Sequence, residues 1–155
     1  MDKIKRILVA TGVTKTCRKV VDYGVSMAHK YGAELYVIHV EHNPFGYEGF
    51  NLPMISLDES YKRVIKEAEG DLEKIIENER TKGLNIQSLV KEGDPAKIIP
   101  SLVREMNIDL LVMRAHAHEE SKLEHLEERL ENLIFGRSHE KIIRKMPCTI
   151  LLVKY

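Results

Sequence analysis

The chain has 155 residues, 43% of them hydrophobic and 31% charged, the composition of one soluble globular domain with enough length for a real core. Lys plus Arg and Asp plus Glu each total 24, and the resulting net charge of zero argues against a dedicated nucleic-acid binder, which carries a basic excess. No apolar run approaches a membrane span and the first residues show no signal-peptide pattern, so a cytoplasmic protein with no membrane partner is expected. Cys17 and Cys148 lie far apart, form no CxxC motif and read as reduced thiols.

Lys5 to Thr11 reads as a first strand, ended by Gly12. Thr14 or Thr16 can cap the helix that follows. That helix carries Cys17, Val20, Val21, Gly24, Val25 and Ala28 on one face and stops at Tyr31-Gly32. Glu34 to Val40 is the second strand. Glu41 to Ile55, with Pro44, Gly46, Gly49 and Pro53 among aromatics, is a long loop of the functional or mobile kind.

Ser56-Leu57-Asp58-Glu59 has the capping-box pattern, and the helix it opens aligns Tyr61, Val64, Ile65, Ala68, Leu72, Ile75 and Ile76. Gly83 ends that helix. Leu84 to Val90 is a third strand, less apolar and therefore nearer a sheet edge. Gly93-Asp94-Pro95 combines a turn, an N-cap and a first-turn proline, and the helix beyond packs through Ile99, Leu102, Val103 and Met106. Pro100 lies in that helix, near the first turn, where losing one donor is tolerable.

Ile108 to Met113 and Thr149 to Val153 are dense apolar runs of buried-strand character. Strand and helix thus alternate four times before a fifth strand, which predicts a mainly parallel sheet with helices on both faces. Such sheets bind ligands at the carboxyl ends of their strands, where the strand order reverses, so the loop after Met113 is the first place to look for function.

Between Met113 and the last strand lies an unusual charged segment, an insertion at about 118–135. Ser121-Lys122-Leu123-Glu124 offers a capping box, and Leu123, Leu126, Leu130 and Leu133 form an apolar stripe too short for an independent coiled coil. The predicted helix, Ser121 to Ile134, docks on its own domain or on a second subunit. His116, His118 and His125 lie near Glu119 and Glu120, but their spacing fixes too little geometry for a metal site, and none is expected. His39 and His42 flank the end of the second strand, lining the cleft or standing at its rim. No nucleophile elbow, P-loop or zincin motif is present, and no catalytic residue is expected.

Four stretches, in order and over almost the whole chain, resemble the universal stress protein family: Ile7 to Thr11, Gly32 to Val40, Glu92-Gly93-Asp94-Pro95-Ala96, and Asp109 to Gly136 continuing through Glu140 to Cys148. The resemblance implies an α/β fold of the Rossmann-like, adenine nucleotide alpha hydrolase-like kind, with five parallel strands in the order 3-2-1-4-5. It also implies a cytoplasmic homodimer, paired through the C-terminal strand, tied to stress survival. Some members bind ATP and others do not.

The positions that correspond to the family's nucleotide site are Ala10, Thr11, Gly12, Val40, Met113, Arg114, Gly136, Arg137 and Ser138. The ATP-binding pattern is broken among them. Gly12 stands where those members carry an aspartate, and Arg114 and Ala117 stand for the first two glycines of the phosphate loop. The third glycine, Gly136, comes about nine residues late; Arg137 follows it, with Ser138 one step on. Arg114 either reaches a phosphate or fills its space and pairs with a carboxylate. Arg137 either binds an anion at the last helix or is a solvated surface residue. The expected function is a regulatory stress protein with no cofactor, binding ATP weakly or not at all. The alternatives are an ATP- or AMP-binding switch with a modified phosphate loop, or a slow nucleotide hydrolase.

Overall fold

Alternating apolar strands and amphipathic helices build the expected architecture in the computed structural model, which describes residues 3–11, 18–41, 55–115 and 139–154. Strands β1 (Arg6–Ala10), β2 (Glu34–Glu41), β3 (Ile86–Glu92), β4 (Leu110–Arg114) and β5 (Thr149–Val153) form one sheet in the order 3-2-1-4-5. Every pairing is parallel. The connecting helices are α1 (Arg18–Tyr31), α2 (Ile55–Thr81) and α3 (Pro95–Glu105), with a helical segment over 139–145 before β5.

The sheet separates two cores. On one face Ile7, Val9, Leu35, Val37 and Val112 pack with Val20, Val21 and Ala28 of α1 and Leu72 and Ile76 of α2. On the other, Leu8, Ile38, Leu111 and Met113 pack with Ala96, Ile99 and Val103 of α3 and with Ile142. Burial on both faces explains why β1 and β4 are continuous apolar runs. Gly24 marks the closest approach of α1 to the sheet: a Cβ built there would lie 2.2 Å from Val9 Cγ2.

Several boundaries differ from the sequence reading: β1 spans Arg6–Ala10 rather than Lys5 to Thr11, β2 runs on to Glu41, and β4 spans Leu110–Arg114 rather than Ile108 to Met113. Helix α2 already includes Ile55, so the Ser56 to Glu59 pattern falls inside its first turn; helix ends of this kind shift by a residue or two. Strand β3 starts at Ile86 and runs to Glu92, because it tracks the long β2 to its end, where Glu41 pairs with Glu92. Pro100 is the sixth residue of α3, past the first turn, so the helical bond to the Ala96 carbonyl cannot form. The Asp94 cap is as expected, its carboxylate accepting from Ala96 N–H at 2.9 Å.

The amino edge of the sheet is tied by polar bonds. One Asp109 carboxylate oxygen accepts from the backbone N–H groups of Lys5 and Arg6 at 2.8 and 3.0 Å. Arg6 donates to the Met106 carbonyl at 3.0 Å and to Glu34 at 3.2 Å.

Helix α2 is held to β3 by Glu73, which accepts from Arg80 at 2.8 Å and from the Ser88 hydroxyl. The Arg80 bond, then the Ser88 bond, holds the Glu73 carboxyl below the ordinary value of 4.5. A depressed folded value means the contribution is complete above pH 4.5 and is lost as pH falls through the folded value. Glu73→Gln is therefore expected to lower stability at neutral pH and to converge with wild type as the pH falls, which flattens the acid limb of the stability profile. Superimposable acid limbs in denaturant titrations would contradict this.

Candidate functional site

In an open sheet of this order the reversal falls between β1 and β4, because β1 leads to β2 on one side while β4 lies on the other. The carboxyl ends of these strands form the candidate site. Ala10 and Met113 are register partners across the reversal. Ala10 is half-buried, Met113 buried, and Thr11 is 9% exposed just beyond β1, its N–H donating to the Ile38 carbonyl at 3.0 Å. Val40 is buried near the end of β2, which outruns β1. Arg114 ends β4 half-buried, and its carbonyl accepts a hydrogen bond from Nε2–H of His139 at the start of the last helical segment.

Five of the nine sequence-predicted positions, Ala10, Thr11, Val40, Met113 and Arg114, thus share one edge of the sheet. Gly12, Gly136, Arg137 and Ser138 lie outside the described residues, as do Cys17, His42, the insertion and its histidines. Among the described residues no group of three or more His, Cys, Asp or Glu is arranged to hold a metal. Cys148 is half-buried and free, and desolvation raises its thiol pKa.

The sequence reading placed His39 only at the cleft or its rim; the structure gives it definite partners. It follows Leu35 and Val37 on the same face of β2 and is 6% exposed. Its Nδ1–H donates to the Thr11 carbonyl at 3.2 Å, and its Nε2 lies 2.8 Å from a carboxylate oxygen of Glu41. The available signal was a polar residue at a register position reserved for core side chains, since buried polar groups are there with partners. The Glu41 carbonyl accepts from Gly93 N–H at 2.9 Å, so the ends of β1, β2 and β3 are knit together through this dyad.

Open parallel α/β sheets of this order bind their ligands at the carboxyl edge of the strands, where these residues lie. Residues 3–154 match the model of the universal stress protein family, and the chain belongs to that family. A universal stress protein of Methanocaldococcus jannaschii is 26% identical over 153 residues, covering 97% of this chain and 82% of its own. Solved structures share the fold. A protein from the universal stress protein family of Burkholderia pseudomallei has a TM-score of 0.71 and 18% identity, covering 99% of this chain and 98% of its own. A universal stress protein in complex with cAMP has a TM-score of 0.61 and 17% identity, covering 98% of each chain. One from Archaeoglobus fulgidus in complex with dAMP has a TM-score of 0.58 and 15% identity, covering 99% of this chain and all (100%) of its own.

Proposed function

We propose that this protein is a non-catalytic, cytoplasmic universal stress protein that works as a homodimer and binds ATP weakly or not at all. The observation that carries the reading is Arg114 at the end of β4. A long side chain follows Met113 where a backbone must approach phosphates closely, and a residue with a Cβ lacks the conformational freedom of glycine. The 22 residues between Met113 and Gly136 add to this, since they separate the two halves of the phosphate loop. The dimer reading rests on β5, which among the described residues pairs with β4 alone and which carries the exposed Leu152.

A second reading is favoured by the cAMP and dAMP complexes of the two structural neighbours. Both ligands carry one phosphate, so neither needs the loop to close over a triphosphate. In this reading the protein is an adenine-mononucleotide switch.

Titration calorimetry with magnesium and ATP tests the first reading. A dissociation constant near millimolar or weaker, about 4 kcal/mol of binding, is the expected result. Low-micromolar affinity abolished by Gly136→Val would overturn it. Tighter binding of AMP than of ATP would select the second reading.

A further inference from the structure

The proposal below rests on the mononucleotide reading of the cleft. Glu41 ends β2 on the same face as His39, at the carboxyl edge where ligands of such sheets bind. Its side chain is 26% exposed, whereas that of His39 is 8% exposed. One carboxylate oxygen is held by the His39 ring, itself anchored to the Thr11 carbonyl, and the Glu41 backbone is fixed by Gly93. Among the described residues His39 is the only side chain bonded to this carboxylate. A glutamate normally loses much rotamer freedom on binding a ligand; this one is already oriented.

An ionised carboxylate only accepts, so its natural complement is an N–H or O–H donor. The Thr11 carbonyl beside it is already engaged by His39. Glu41 and Arg114 lie at the ends of β2 and β4, two strand spacings apart with β1 between them, about 10 Å. An acceptor at one end and a cation at the other suit a ligand with a donor on its base and a negative charge on its far side.

Of the ligands held by the two neighbours, dAMP lacks the 2′-hydroxyl and cAMP has its 3′-oxygen esterified. The base donor they have in common is the 6-amino group of adenine. We propose that Glu41, oriented by the positioning residue His39, is the base-specificity determinant of this cleft: it accepts a hydrogen bond from the exocyclic amine and rejects purines with a 6-oxo group. The rejection is electrostatic, because a carbonyl oxygen facing a carboxylate leaves two acceptors opposed and unpaired.

AMP and IMP differ at this position by amine against oxo and serve as the probes. In calorimetric titrations of the whole chain, wild type is expected to bind AMP at least about tenfold more tightly than IMP. Glu41→Gln is expected to close that gap, because its amide can turn to donate to the 6-oxo group. His39→Asn keeps a donor for the Thr11 carbonyl but releases Glu41, and is expected to lose part of the discrimination. His39→Gln, whose amide reaches the Nε2 position, is expected to restore it, a rescue that a merely structural role would not produce. Equal wild-type affinity for AMP and IMP, or a Glu41→Gln protein with the wild-type ratio, would overturn the proposal. The wild-type ratio needs no variant to fold. Binding of neither nucleotide at millimolar concentration would remove the mononucleotide reading and this inference with it, whereas equal binding removes the inference alone.

Discussion

Gly24→Val is expected to lower the stability of the fold by about 3 kcal/mol, the upper part of the range for overpacking a closed core. Gly24 sits in the middle of α1, where glycine costs helix stability of about 1 kcal/mol relative to alanine. The sequence accepts that cost because helix and sheet approach too closely for any side chain. A Cβ there would lie 2.2 Å from Val9 Cγ2 and 3.4 Å from Leu35 Cδ1. Val9 and Leu35 are both fully buried, on adjacent strands, and a valine methyl has no other space to enter. Either α1 lifts away from the sheet or β1 shifts, and both open the first core. Gly70 in α2 supplies the control: no atom lies within 4 Å of its built Cβ, so Gly70→Ala is expected to stabilise by up to about 1 kcal/mol. Thermal or denaturant unfolding reads both. A Gly24→Val protein as stable as wild type would show that α1 does not pack as closely as the structure has it.

Leu152→Glu is expected to convert the proposed dimer to monomer. Leu152 is 44% exposed on β5, and Ile143, on the helical segment just before that strand, is 39% exposed. Leu152 shares a sheet face with Ile150, which packs in the same core as Ile142. An apolar edge of this kind pairs with another chain, and a two-fold axis satisfies both copies at once. A glutamate at Leu152 puts two like charges across that axis and leaves the monomer core untouched, since Leu152 belongs to neither buried cluster. Sedimentation at micromolar concentration is expected to show a dimer for wild type and a monomer for the variant. An unchanged dimer would place the interface elsewhere, with the leucine stripe at Leu123 to Leu133 as the next surface to substitute.

The parallel alternation and the two cores were legible because they depend on pattern; the strand order came with the family resemblance. Ile7 to Val9 and Leu110 to Val112 are apolar at every position, which only a doubly covered parallel strand requires, and Asp94-Pro95 announced α3 by its cap chemistry. The ends of elements were less legible. Nothing local in Lys91-Glu92 says strand; those residues are extended because β2 runs beside them to Glu41. That Ala10, Thr11, Val40, Met113 and Arg114 share one edge follows from where the strands end, whereas their reading as nucleotide-site positions came from the family resemblance. The partners of His39 follow from neither, because the Thr11 carbonyl is 28 residues away and its direction depends on how β1 ends beside β2.

The Asp109 bonds to Lys5 and Arg6 also bear on the order in which the chain assembles. They join residues 104 and 103 positions apart. During synthesis β1, β2 and β3 emerge in turn and each can pair with the one before it. The second edge of β1 has no partner until β4 leaves the ribosome about a hundred residues later. A nascent chain therefore carries one bare apolar strand edge until β4 has been made, and the carboxylate of Asp109 arrives with β4 to close it.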